Sequence, residues 1–165
     1  MSLTVRARHE YDQPLAKVWA VFTDPEFYQA KFEGIGHRAV EVVSAEREGD
    51  EFSIEVSREV PVDVPAVLRG LLGEWNTLLQ TERWTPAGKN AYANELQMEV
   101  RGVPATMHGR MKLSAHGKGC VNEVEITIRA SVPLIGGKLE QFAARDAEAN
   151  LAAEYDFIRG YLESA

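Results

Sequence analysis

The sequence has a single cysteine, Cys120, and no apolar run that approaches the length of a membrane-spanning helix. One cysteine excludes an internal disulfide framework and is typical of a reducing compartment. A membrane span needs about 20 consecutive apolar residues. The opening stretch MSLTVRARHEYDQ alternates apolar and polar residues and contains no apolar core of a signal peptide. We therefore expect a cytoplasmic protein without stable membrane insertion.

Positive charge is also scarce, because 18 lysines and arginines stand against 25 aspartates and glutamates, a formal net charge of −7. This balance disfavours non-specific binding to nucleic acid or to anionic membranes. The remaining composition, 45% hydrophobic and 26% charged, is that of an ordinary globular protein. A chain of 165 residues is long enough to bury roughly 70% of its unfolded surface. We interpret residues 1–165 as one domain.

The motifs of several cofactor and catalytic classes are missing. The sequence contains no G-x-x-x-x-G-K-[ST], no G-x-G-x-x-G, no G-x-S-x-G and no H-E-x-x-H. His116 and Cys120 flank a predicted hairpin turn, which gives two ligands where zinc needs three or four. Nothing but Lys118 is near enough in sequence to activate Cys120 as a nucleophile. We expect no metal, no cofactor and no catalytic residue of these classes.

The first 34 residues predict a strand followed by two short helices. Residues 3–11 alternate apolar and polar side chains, as a half-buried strand does. Asp12 and Pro14 indicate a helix start, with Asp12 as the capping residue. Asp24 and Pro25 indicate a second start, and Gly34 is expected to end that helix.

Residues 38–130 predict six further strands, joined in pairs by the turns GD, AGKN and GKG, and a long helix follows the stretch PLIGG. One segment, residues 60–76, does not fit a strand, because two prolines exclude a central strand position. Its leucines at helical spacing suggest an extended crossing and then a short helix. The segment is either a flap over the space that the sheet encloses or a core-packing connection.

This order resembles the START-like, Bet v 1-like (SRPBCC) superfamily, on the opening strand, on the phrase P-x-x-x-V-W-x-x-x-T-D-P that begins at Pro14 and on the terminal amphipathic helix. The stretches VPAVLRGLLG and LLQTERW resemble, more narrowly, the bacterial branch known as domain of unknown function 2505. The resemblance implies an α+β helix-grip fold: a curved antiparallel sheet of about seven strands wrapped on a long C-terminal helix. It also implies a cavity between sheet and helix for an apolar or amphipathic molecule.

The strand pattern can be compared with that implication. Alternation in three strands directs one set of side chains inward, and the methionines of this set suit a wall that adapts to varied apolar shapes. Gly109 is expected to leave space on the inward face. The alternative is that the methionines fill gaps in an ordinary core. The predicted cavity residues on the strands are Tyr92, Asn94, Met98, Met107 and Met111.

The last helix adds Phe142 and a polar trio. Asp146, Asn150 and Glu154 follow one another at i, i+4, i+8 in the middle of the apolar face. Burying an ionised carboxylate without a partner is costly, so such a group is paired, hydrogen-bonded or neutralised. Three readings stay open: the trio lines a cavity, forms a structural network with an inward cation (Arg58, Arg83 or His9), or supplies a general acid or base.

The sequence therefore predicts non-catalytic binding of a small hydrophobic or amphipathic molecule, lipid-like or polyketide-like. One alternative is a cyclase-like or aromatase-like enzyme that uses a carboxylate of the last helix. A second alternative is a protein-interaction module, with the stretch AVLRGLLGEW or the outer face of the sheet as its contact surface. The sequence does not predict an oligomeric state.

Overall fold

A computed structural model of the chain describes residues 2–164. The chain forms seven strands and three helices within these residues, with one 3-10 turn at Ala66–Leu68. The elements are β1 Leu3–Tyr11, α1 Leu15–Phe22, α2 Pro25–Gly34, β2 Arg38–Glu48, β3 Glu51–Pro61, β4 Trp75–Pro86, β5 Ala91–Val100, β6 Ala105–His116, β7 Gly119–Ala130 and α3 Gly136–Ser164.

The seven strands form one antiparallel sheet in the order β1-β7-β6-β5-β4-β3-β2. The curved sheet, the long C-terminal helix and the two short helices after the first strand are the predicted helix-grip fold, which is confirmed. Strands that are neighbours in sequence pair from β2 to β7, while β1 crosses to pair with β7. The two edges of the sheet are therefore β1 and β2.

The two short helices begin for different reasons. Asp24 accepts a hydrogen bond from the backbone N–H of Glu26, with Pro25 at the first helical position, as the sequence predicted for α2. The predicted capping role of Asp12 at α1 is wrong. Pro14 occupies the N-cap position, and no side chain among the described residues caps that end, because α1 begins at Leu15, two residues later than an Asp12 cap requires.

The predicted inward faces of β5, β6 and β7 are confirmed, since their alternate residues are buried or half-buried while those between them are mostly exposed. Gly109 does not leave space, contrary to the prediction. It lies opposite Leu96 on β5, and a Cβ at Gly109 would come within 2.8 Å of the Leu96 side chain. The missing side chain makes room for a neighbour.

The two halves of α3 pack against different partners. Its C-terminal half packs Ile158 and Leu162 into an aromatic-rich cluster with α1 and α2. Its N-terminal half faces the inner side of the sheet, where Leu139 joins Leu68 and Leu72 of the 62–74 loop in a smaller apolar cluster. The predicted short helix in the 60–76 segment is only the single 3-10 turn, and its buried leucines pack inward.

Candidate functional site

A cavity of about 120 Å³ lies between the sheet and α3. Its volume is similar to that of an apolar cavity of about 150 Å³ that binds benzene. It is smaller than the about 300–1,000 Å³ of pockets for drug-sized ligands. Most of the wall is apolar and comes from Val60, Val62, Leu72, Leu78, Leu96, Met98, Val100, Met107, Met111, Ile126, Ile128, Leu139, Phe142, Ala143, Ala147 and Leu151.

Seven of the nine residues predicted to line a binding cavity contribute to this wall: Met98, Met107, Met111, Phe142, Asp146, Asn150 and Glu154. Tyr92 and Asn94 do not line it. Tyr92 stacks on Trp19 of α1 with ring centroids 3.6 Å apart, and Asn94 donates a hydrogen bond to the carboxylate of Glu82. Both side chains lie on the predicted inward face, but at its hairpin end, where α1 and its aromatic neighbours fill the space.

A continuous chain of polar side chains crosses one end of the cavity. Arg58 is its centre and donates in both directions, from Nε to Nδ1 of His37 at 3.0 Å and from Nη2 to Oε1 of Gln80 at 2.7 Å. Gln80 in turn donates to Glu82. On the other side His37 Nε2 lies 3.4 Å from Oδ1 of Asn150. The amide of Asn150 donates to Oδ2 of Asp146 at 3.1 Å. The chain therefore has the Arg58 guanidinium at its centre and a carboxylate at each end, Glu82 on one side and Asp146 on the other.

The charge state of His37 follows from this chain. Burial, and then the nearby Arg58 guanidinium, lower the pKa of His37 from 6.5 to about 4. The ring is therefore neutral at pH 7, and because Nδ1 accepts from Arg58, its proton sits on Nε2 and points to Asn150. Arg58 keeps its charge: burial lowers its pKa to about 10, while the charges of Glu154 and Glu82 act in the opposite direction.

Glu154 belongs to a buried ion pair. Its carboxylate lies 3.0 Å from the ammonium of Lys31, whose side chain is 7% exposed. Lys31 also lies over the rings of Phe27, Tyr28 and Phe32. Burial acts to raise the pKa of Glu154, but the attraction of Lys31, helped by Arg58, leaves it below its ordinary value. Glu154 is therefore ionised at neutral pH and forms its ion pair with Lys31.

Asp146 has a different environment from Glu154, although both lie on the same face of α3. It has no cationic partner among residues 2–164. Burial raises its pKa, against the effect of the hydrogen bond from Asn150. Of the two carboxylates on this face, Asp146 is the one that takes up a proton more readily than an exposed aspartate does.

Glu82 anchors the opposite end of the chain. It is 5% exposed and accepts hydrogen bonds from Gln80, from Tyr28 Oη at 2.9 Å and from Asn94 Nδ2 at 2.8 Å. Three donors replace the water that its charge would otherwise attract. Burial, and then the Glu82 charge, raise the pKa of Tyr28, so the phenol stays protonated and donating.

The sequence did not predict four members of this cluster: Lys31, His37, Gln80 and Glu82. Of the three cations suggested for the inside, Arg58 does reach it, whereas Arg83 is exposed and pairs with Glu51 at 2.7 Å. His9 is buried and stacks on Tyr155. A usable signal existed in β4, because fixing Trp84 as inward places Gln80 and Glu82 on the same face.

No group of three or more metal-ligating side chains comes together within the described residues. Burial raises the pKa of Cys120 to about 11, so its thiol is protonated at neutral pH and unsuited to nucleophilic attack. None of the helices described by the structure is long and apolar enough to span a membrane.

Solved structures with this architecture include enzymes and proteins of other kinds. The ZhuI aromatase/cyclase from Streptomyces sp. R1128 is 18% identical, with a TM-score of 0.67 over 99% of this chain and 94% of that one. A START superfamily protein from Mycobacterium smegmatis is 12% identical, with a TM-score of 0.56 over 98% and 97%. Ara h 8.0201 is 13% identical, with a TM-score of 0.60 over 100% of both chains. At these identities the likeness shows the fold alone.

A search of curated protein sequences found no match. The family described as "Protein of unknown function (DUF2505)" matches residues 6–162, nearly the whole chain. The chain belongs to this family, as the sequence predicted.

Proposed function

We propose that this DUF2505 protein binds a small amphipathic molecule in the cavity between the sheet and α3, without transforming it. One observation carries the proposal: a mostly apolar wall is combined with a cluster of polar side chains around Arg58 and Asn150, while the other polar residue of the lining, Asn76, is hydrogen-bonded to Gly73. Ligand sites in proteins have this composition, apolar walls with a few convergent polar groups that orient the ligand.

The volume of the cavity bears on the size of the ligand. About 120 Å³ accommodates a single ring or a short chain rather than a sterol or a long lipid. Three methionines, Met98, Met107 and Met111, line the space, and their flexible side chains allow it to widen around a larger molecule. We therefore expect the compact form described here to bind ring-sized molecules and to expand for longer ones. A lipid-like or polyketide-like ligand, and a cytoplasmic location, stay predictions.

The test compares two substitutions of one helix. Ala147 lines the cavity, whereas Ala152 lies on the exposed face of α3. Ala147→Phe should fill the cavity and abolish binding of co-purifying or added small molecules, measured by native mass spectrometry and solvent extraction. Ala152→Phe should retain them. Equal binding by both variants would contradict a site in this cavity, provided that both keep the circular dichroism spectrum of the parent protein.

A second candidate function, a cyclase-like enzyme, is favoured by Asp146 alone. A carboxyl group on a cavity wall with a raised pKa is the kind of group that acts as a general acid. Glu154 is unsuited, since Lys31 keeps it ionised. NMR titration of the Asp146 carboxyl tests this candidate, and an ordinary pKa would remove it.

The protein-interaction alternative has less support. In the AVLRGLLGEW stretch, Leu68 and Leu72 are buried and close one end of the core. Val67 is the large apolar residue of the stretch that is well exposed, at 46%, beside the small Ala66. One exposed valine is not an apolar patch of the size that marks a protein interface.

A further inference from the structure

Arg58 leaves part of its hydrogen-bonding capacity unused at the cavity wall. A guanidinium carries five N–H donors, and Nε and Nη2 are occupied by His37 and Gln80. Nη1 is buried and has no hydrogen-bond partner within residues 2–164, and Arg58, itself only 5% exposed, lines the cavity. A buried donor without a partner is costly. The guanidinium lies over the ring of Phe32 at 3.6 Å, so a ligand acceptor would reach Nη1 only as the flexible cavity wall widens around the ligand.

The charge of Arg58 is also without a direct counter-ion. Its two hydrogen-bond partners are both neutral, and no carboxylate among residues 2–164 forms an ion pair with it. The two acids whose charges act on it are engaged elsewhere, Glu154 with Lys31 and Glu82 with its three donors. Because Lys31 and Glu154 form an ion pair with each other, Glu154 is not available as a counter-ion for Arg58, and Lys31 is not available to bind an anionic ligand in its place.

We propose that the ligand of this cavity carries a carboxylate, or an equivalent anionic oxygen pair, that binds Nη1 of Arg58 while its apolar part lies among the methionines. The inference rests on the proposed binding function and names the chemical class of the ligand. A neutral carbonyl would satisfy the donor but would leave the guanidinium without a contacting anion. A charge-assisted hydrogen bond is shorter and about twice as strong as a neutral one, so the site should distinguish the two.

The remaining groups at this end are compatible with an acid. His37 is neutral, and the amide of Asn150 turns its oxygen toward His37 and its nitrogen toward Asp146. Of the two acids on the wall, Glu154 is paired with Lys31. Asp146 is the one whose charge is unpaired, and it lies at the far end of the chain, three side chains from Arg58. Protonation of Asp146 on binding would remove its repulsion of the ligand.

The experiment uses matched pairs of probes on the full chain at pH 7. Benzoate is compared with benzamide, and hexanoate with hexanamide, by calorimetry or by NMR shift titration. Each amide keeps the shape of its acid and lacks the charge. We expect each acid to bind at least about tenfold more tightly than its amide. Toluene, which needs no polar partner, reports whether the cavity binds anything at all.

Two arginine variants test whether Arg58 causes the preference for acids over amides. Arg58→Gln should reduce acid affinity to that of the amide and change amide affinity little. Arg83→Gln, on the outer face of β4 and paired with Glu51, should leave both unchanged. If Arg58→Gln does not fold, the guanidinium NMR signals of Arg58 in the parent protein decide the matter, since they should shift with acids and not with amides.

The outcomes separate the two proposals. Equal affinity for acids and amides in the parent protein would overturn the carboxylate inference and leave the binding function intact. Acid preference that survives in Arg58→Gln would also overturn it, because another cation would then be responsible. Failure of the acids, amides and toluene alike would overturn the binding function, and the carboxylate inference with it.

Discussion

The two halves of α3 present the same kind of face to very different surroundings. From Leu139 to Asn150 the inward side chains border the cavity. Leu151 and Glu154 still line its end, but from there to Leu162 the helix packs against β7, α1 and α2. Asp146 lies in the first half and Glu154 in the second, two helical turns apart. The first half therefore borders open space, and the second half is packed into the core.

The difference explains the opposite electrostatics of the two acids. α2 brings Lys31 to the second half and stabilises the charged form of Glu154. No cation among residues 2–164 pairs with Asp146, so burial dominates its pKa. The three polar residues are regularly spaced in the sequence, but their environments differ because different elements pack against the two halves of the helix.

Removing Glu154 should produce the largest effect. Glu154→Gln leaves the Lys31 ammonium buried without its counter-ion, and breaking such a pair costs about 3 kcal/mol or more of the free energy of unfolding. Urea denaturation measures this loss. Glu148→Gln, on the exposed face of the same helix, serves as the control and should change the free energy by less than about 0.5 kcal/mol.

A double variant sharpens the interpretation. Lys31→Met with Glu154→Leu replaces both charges by apolar side chains of similar size, and such replacements are often neutral. We expect most of the lost stability to return. A double variant as unstable as Glu154→Gln would show that the second half of α3 depends on the charges themselves rather than on the avoidance of one unpaired charge.

A smaller effect should appear as pH dependence at the border of the two halves, where His37 contacts Asn150. The pKa of His37 is about 4 in the folded protein and 6.5 in an exposed histidine, so the unfolded chain binds more protons between these values. Stability should therefore fall as the pH drops from about 6.5 toward 4, by about 2 kcal/mol once some solvent screening of the ring is allowed for.

Thermal unfolding at several pH values checks this dependence. Glu154, whose pKa is lowered, adds a loss of the same sign below its ordinary pKa, and Asp146, whose pKa is raised, partly offsets it. His37→Gln should reduce the slope between pH 6.5 and 4, leaving the part that comes from His9, whose pKa burial also lowers. His108→Gln, on the exposed outer face of β6, should keep it, and an identical slope in both variants would assign the dependence to other groups.

The same contrast shows what periodicity in the sequence can predict. Alternation in β5, β6 and β7 predicted the cavity-facing methionines, because a strand with one charged face has only one way to orient. β4 has no such contrast: Leu79 and Arg83 lie on its outer face, and Gln80 and Glu82 lie on its inner face. Only an inward Trp84 would have indicated the direction of Gln80 and Glu82, and their burial is explained by the partners Tyr28, Asn94 and Arg58.

Lys31 was missed for a related physical reason. In a helix as short as α2, a lysine among aromatic residues reads as a solvent-facing side chain, and only the packing of α2 beside α3 turns it toward Glu154. Glu140 was missed likewise. It is 2% exposed and accepts a hydrogen bond from the backbone N–H of Ala130, which ties the start of α3 to the end of β7.

The smallest stability effect should come from Asp146→Asn. The raised pKa means that the ionised carboxylate is less stable in the folded protein than in water, so a neutral amide should change the free energy of unfolding by less than about 1 kcal/mol and in the stabilising direction. Asn150 keeps a partner in the variant, since its amide also donates to the backbone carbonyl of residue 146 at 3.0 Å.

Binding should respond to Asp146→Asn in the same sense. With the wall carboxylate neutral, benzoate should bind as tightly as before or more tightly at pH 7, and benzamide should be little affected. Urea denaturation and the benzoate titration on one preparation measure both quantities. A destabilisation near that of Glu154→Gln would mean that the two acids share one structural role, and the contrast between the halves of α3 would then not hold.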